Sequence, residues 1–129
     1  MNKMLLTISI LLITTSAYAE WELFFKSHTG NDYYYDRDSI KRNKNKIKVW
    51  SYTNLSEEEQ KNPKYLNSAS QMSLEEYDCV TEICKILQVN SYSKPDLNGD
   101  QIQEWSGSKE KYVPPGTNAY ELMKRVCKK

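Results

Sequence analysis

The clearest helix in this chain comes last. Ala119, Leu122, Met123 and Val126 fall at i, i+3, i+4 and i+7, which makes one apolar stripe at helical spacing. Thr117 offers an N-cap hydroxyl just after Pro114-Pro115-Gly116, and Asn118 and Glu121 suit the first turn. Lys124, Arg125, Lys128 and Lys129 complement the dipole at the far end. Such a stripe is an ordinary core face and needs something to pack against. Most of the preceding chain reads as strand. Ile47, Val49 and Ser51 alternate with Lys48, Trp50 and Tyr52, so residues 47–53 are predicted as a strand. The aromatic-rich segment 21–27 and the triplet Tyr33-Tyr34-Tyr35 are two more, separated by the turn Thr29-Gly30-Asn31-Asp32. Residues 38–41 are expected as a short strand and 105–113 as the last one. Residues 68–79 and 83–92 are expected to be strands too, with Ile83, Lys85, Leu87 and Val89 on one side. Ser56 and Glu59 have capping-box spacing for one or two helical turns, which Pro63 ends.

At 129 residues the chain has room for one domain. Its start reads as a secretory leader. Lys3 gives a short positive region, residues 5–13 an apolar run broken by Thr7 and Ser9, and Ala17-Tyr18-Ala19 a small-x-small cleavage site. Residues 1–19 are therefore expected to be a signal peptide and 20–129 the mature domain. The apolar run is far short of the ~20 residues a membrane span needs, so no stable membrane anchor is expected. No cysteine follows Ala19, so the leader is not of the lipoprotein type.

Export makes disulfides permissible, and the three cysteines, Cys79, Cys84 and Cys127, all lie in the mature part. An odd count leaves one thiol over or pairs it between chains. Cys79 and Cys84 on one extended strand would stand roughly 16 Å apart. A disulfide needs Cα atoms within about 7 Å, so that pair requires a turn between them. Cys127 is then left to choose between Cys79 and Cys84, which point to opposite faces of a regular strand.

Catalytic material is sparse. His28 is the single histidine and sits beside a predicted turn. One histidine and three cysteines without Cys-x-x-Cys spacing do not make a zinc or redox motif. A Cys84–His28 nucleophile pair has no recognisable catalytic context. Asp96, Asn98 and Asp100, with Glu104 beyond, imitate a calcium loop. Yet Gly99 is at the fourth position instead of the sixth, and Gly107 occupies the twelfth, so an Asn-Gly turn is the better reading. No phosphate-binding glycine loop occurs. The chain is not expected to be an enzyme, and neither a metal nor a cofactor is expected.

With a formal charge of +1 and mixed acids and bases, nucleic acid is not an expected partner. The one dense basic run, residues 41–46, reads as a solvated hairpin tip, since Asn43 and Asn45 are turn formers. The tyrosines are the remaining signal. Tyr33, Tyr34 and Tyr35 alternate across a strand, so one set faces away from the core. They are the candidate binding surface for an unidentified protein partner.

Several residues in order resemble the bacterial surface-adhesin protein E family. Tyr34-Tyr35-Asp36, Ser39-Ile40 and Val49-Trp50 are similar to its front half. Tyr77-Asp78-Cys79, the strand ending in Tyr92, Pro114-Pro115-Gly116-Thr117 and Val126-Cys127 are similar to its back half. The resemblance implies an α+β fold, a single antiparallel twisted β-sheet with a C-terminal α-helix packed on it. It also implies a Cys79–Cys127 bridge with Cys84 free, and a surface role binding host matrix or serum proteins. Two departures stand out: the lipidated cysteine that anchors such adhesins is missing, and Cys84 falls where the family pattern has none. The second function class is therefore a periplasmic accessory or structural envelope protein, or an enzyme inhibitor.

Overall fold

A computed structural model describes residues 20–128, and the expected leader, 1–19, lies outside them. The strands are β1 (Trp21–Lys26), β2 (Asp32–Asp36), β3 (Lys41–Asn43), β4 (Lys46–Asn54), β5 (Ser70–Asp78), β6 (Ile83–Tyr92), β7 (Gln101–Ser106) and β8 (Lys111–Tyr112). The helices are α1 (Glu57–Gln60), a single turn, and α2 (Asn118–Val126). Among the described residues the eight strands form one antiparallel sheet in the order β1-β2-β4-β5-β6-β7. β3 pairs with the start of β4, where β2 does not reach, and β8 pairs with the start of β6, where β7 does not reach.

Local chemistry sets these boundaries. Ser56 Oγ accepts the Glu59 N–H at 3.2 Å, and Thr117 Oγ1 accepts the Tyr120 N–H at 3.2 Å, so both expected N-caps operate. The strand expected at 38–41 begins only at Lys41, because Asp36 caps a 3₁₀ turn, Arg37–Ser39, through the Asp38 N–H. The strand expected at 105–113 divides into β7 and β8. Gly107, at φ +82°, turns the chain in a way that favours glycine, and Ser108 Oγ takes the Ile86 N–H at 2.8 Å.

One face of the sheet is covered by α2. The core there holds Phe24, Tyr35, Ile47, Val49, Tyr77, Cys84 and Val113 against Leu122, Met123 and Val126. Two bulges shape it. Leu23 and Phe25 oppose Tyr34 and Tyr33, which leaves Phe24 as an extra residue buried in the core. In β6, Ile86 and Gln88 oppose Glu75 and Leu74, so Leu87 is extra. That shift corrects the expected alternation of β6. Cys84 and Ile86 share the helix side with Val89, while Ile83 and Lys85 lie opposite Asp78 and Glu76 on the other face.

Cys79 and Cys127 are joined by a disulfide with Cα atoms 5.7 Å apart, and Cys84 is free and buried. The bridge ties the end of α2 to the end of β5. Arg42 on β3 adds to the tie by donating to the carbonyls of Val126 and Lys128, the latter at 2.9 Å.

Candidate functional site

The second face of the sheet carries aromatic and apolar side chains of its own, and among the described residues no α-helix lies on it. Register pairing lines up Leu23, Tyr34, Tyr52 and Met72 across β1, β2, β4 and β5, and sets Trp50 opposite Leu74 in the next row. Tyr34 stacks on Tyr52 with centroids 4.6 Å apart, and Trp21 meets Tyr52 edge-on at 4.8 Å. Tyr52 is thereby buried, while Leu23 is 40% exposed and Trp50, Leu74, Tyr34 and Met72 stay partly exposed.

A 3₁₀ turn, Pro95–Leu97, closes only one end of this face. Asp96 Oδ1 accepts from Tyr52 Oη at 3.2 Å and from Asn54 Nδ2 at 2.8 Å. Burial first, and then the Asp96 charge, push the Tyr52 phenol far above its usual range, so it stays a donor. Leu97 is held at φ +61°, a conformation costly for a bulky side chain, with its N–H donated to Ser70 Oγ. The Asp96, Asn98, Asp100 segment is thus a turn folded onto the sheet. Among the described residues, no three His, Cys, Asp or Glu side chains gather into a metal-sized cluster.

The tyrosine triplet divides by face. Tyr35 is 5% exposed, edge-on to Phe24 at 5.8 Å, and its hydroxyl donates to Glu22 Oε2 at 3.2 Å. Tyr33 is half-buried between Phe24 and Phe25, and burial raises its phenol pKa. Only Tyr34 reaches the uncovered face.

The basic run forms the expected hairpin, with Asn43 opposite Lys46 and a two-residue turn between them. Residues 41–46 are all exposed, as a solvated tip implies. Lys41 stands directly opposite Lys48 on the uncovered face, beside Trp50. Ser39, Lys41, Lys48, Trp50 and Leu74 line an open depression of about 400 Å³.

Beneath α2 the chemistry is muted. Cys84 is 3% exposed, and burial pushes its thiol up to about 12, away from the reactive thiolate. His28 lies exposed in the β1–β2 turn. That turn flanks the Asn54 end of β4, whereas Cys84 lies by Ile47 at the other end, about 23 Å along the strand. Glu75 is buried, accepts from Ser51 Oγ at 2.9 Å, and is raised to about 7 by burial. The Tyr77 hydroxyl beside it has no hydrogen-bond partner among the described residues.

The family model for surface-adhesin protein E matches residues 21–128. The chain belongs to the surface-adhesin protein E family. Its fold is similar to that of Haemophilus influenzae protein E in crystal form II, with a TM-score of 0.63 and 15% identity, over 88% of this chain and 91% of that one. It is similar also to protein E from non-typeable Haemophilus influenzae, with a TM-score of 0.55 and 13% identity, over 88% of this chain and 78% of that one. At such identities the likeness is one of fold. A search of curated protein sequences found no match. In this adhesin-family chain, Trp21, Trp50, Met72, Leu74 and the lysine pair escaped sequence reasoning. The usable signal was the alternation of β4, where Trp50 and Tyr52 stand on one side while Ile47 and Val49 fill the other.

Proposed function

We propose that the chain is an exported, non-enzymatic adhesin that contacts host matrix or serum proteins through the uncovered sheet face. The observation that carries this reading is the row Leu23, Tyr34, Tyr52 and Met72 with Trp50 and Leu74 beside it, an apolar surface that no α-helix covers among the described residues. Family membership supports the adhesive role. The leader pattern supports export, with the cut before Glu20. The buried, unreactive Cys84 and the distant His28 are in keeping with a non-enzymatic protein. Within the tyrosine triplet, Tyr34 makes the contact, and Tyr33 and Tyr35 anchor its strand from the helix side. No helix among the described residues is long and apolar enough to cross a membrane.

Mass spectrometry of exported protein is expected to start at Glu20. Protease added outside intact producing cells is expected to digest it, and the mature protein is expected to bind matrix- or serum-coated surfaces. A protein that is protected from that protease and ignores both coatings would instead be a periplasmic accessory.

A further inference from the structure

We propose that the depression between Lys41, Lys48, Trp50 and Leu74 is an anion-anchored pocket for an acidic–apolar protein segment, in which a carboxylate sits next to an aromatic or aliphatic side chain. The inference rests on the reading of the uncovered face as the recognition surface, and names the partner chemistry that one part of it takes.

Four observations converge. First, β3 and β4 pair so that Lys41 and Lys48 stand directly opposite each other on one face, an arrangement that repels. Neither lysine makes an ion pair among the described residues; the nearby carboxylate of Glu76 is 3.9 Å from Lys46 instead. A carboxylate between the two ammonium groups would relieve the repulsion. Second, the wall of the depression is apolar: the Trp50 indole and, directly across the pair, Leu74. Third, the remaining polar group in the wall is already occupied. Ser39 Oγ donates to the Asp36 carbonyl at 2.7 Å and accepts the Trp50 N–H at 2.9 Å, so it fixes the wall and leaves the lysines to meet the ligand. Fourth, the apolar surface continues from Trp50 and Leu74 into the Tyr34, Tyr52, Met72 row, which suits a chain carrying further apolar side chains.

Charge distribution selects among anions. Around these two lysines the face is mixed: Glu76 stands directly opposite Lys48 on β5 and turns its carboxylate toward Lys46, and Asp78 and Lys85 lie further on. An extended polyanion such as a sulfated glycan would meet those carboxylates, whereas one or two carboxylates fit between Lys41 and Lys48. An anchoring charge at the edge and an apolar body over aromatic rings is the pattern of a protein segment.

The test uses the mature protein and the peptide Gly-Asp-Phe-Asp-Leu-Gly-amide, labelled with fluorescein on its N-terminal amine and followed by anisotropy. The expected result is saturable binding that weakens with added salt and weakens about tenfold in Lys41→Gln/Lys48→Gln, as two partly exposed ion pairs would. Trp50→Ala is expected to abolish it, and Lys109→Gln, in the distant β7–β8 loop, to leave it intact. The peptide with both Asp replaced by Asn is expected to bind poorly. Thermal unfolding of each variant confirms that it folds. Equal binding of the Asn peptide, or full binding by the double lysine variant, would overturn the proposal. So would tighter binding of a heparin hexasaccharide, or peptide binding blocked by self-association of the protein. If the double lysine variant keeps its grip on matrix-coated surfaces while Tyr34→Ser loses it, the pocket fails and the adhesive reading of the face stands.

Discussion

The two faces of one sheet differ in what covers them among the described residues. On the α2 side, Ile47, Val49, Tyr77, Leu122 and Val126 are all within 1% of complete burial, and a disulfide fastens the covering helix. On the other side, Trp50, Leu74, Tyr34 and Met72 are of similar size and apolarity, yet among the described residues no α-helix covers them and only the Pro95–Leu97 turn reaches one end of the face. Burial stabilises, at about 25 cal/mol per Å² of apolar area removed from water. The covered face is thus accounted for by stability, and the uncovered one forgoes that gain. The proposed partner would recover that gain by covering the aromatic surface.

Substitutions on the two faces are expected to differ in what they cost. The largest effect is expected from opening the bridge. Cys127→Ser frees a loop with a sequence separation of 48 residues, which the chain-entropy model values at about 4 kcal/mol. Denaturant unfolding of the variant against the parent measures it, and an unchanged midpoint would mean α2 is held by packing alone. Leu122→Ala on the covered face is expected to cost about 3 kcal/mol, because the side chain is 1% exposed and leaves a cavity.

Next comes acidity. The Glu75 carboxyl is raised from 4.5 to about 7 by burial, so the folded state favours its neutral form. Ser51, Tyr77, Cys84 and Lys111 lie around it, and the Ser51 and Tyr77 hydroxyls and the Lys111 charge oppose the shift without cancelling it. Its contribution is fullest below the unfolded value and is lost as pH rises to about 7, roughly 3 kcal/mol in all. Glu75→Gln is expected to flatten that slope and to stabilise the protein at mildly alkaline pH; thermal midpoints across the range report it. On the uncovered face, Trp50→Ala is expected to cost no more than about 1.5 kcal/mol, since its ring is already partly in water. Lys128→Asp, exposed beyond α2, is expected to stay within about 0.5 kcal/mol of the parent. A loss at Trp50 as large as at Leu122 would remove the distinction between the faces.

Much of the fold was legible because local chemistry agreed with it. The stripe of α2, its Thr117 cap, the Ser56 cap and the alternation of β4 all read directly. What escaped depended on register. A single extra residue, Leu87, moved Val89 to the side of Cys84, and no periodicity in β6 marks that shift. The division of 105–113 came from Gly107, whose left-handed turn a strand pattern does not announce. Alternation split Tyr34 from Tyr33 and Tyr35, but which set faces the helix is set by the pairing of β2 with β4. The opposed Lys41 and Lys48 were seen as part of a charged run, because their juxtaposition exists only once the hairpin has its register. Spacing left Cys127 two partners, and the family resemblance singled out Cys79, which the bridge joins.

The uncovered face is proposed to recognise a partner, while the covered face stabilises the fold. Binding of the mature protein to matrix- and serum-coated surfaces, measured side by side for Tyr34→Ser/Trp50→Ser and for Trp105→Ser, tests it most directly. Trp105 is 40% exposed on β7, outside the aromatic row, and serves as the control. The double variant is expected to stay folded and lose binding while Trp105→Ser keeps it. Retained binding in the folded double variant, or loss in Trp105→Ser alone, would contradict it.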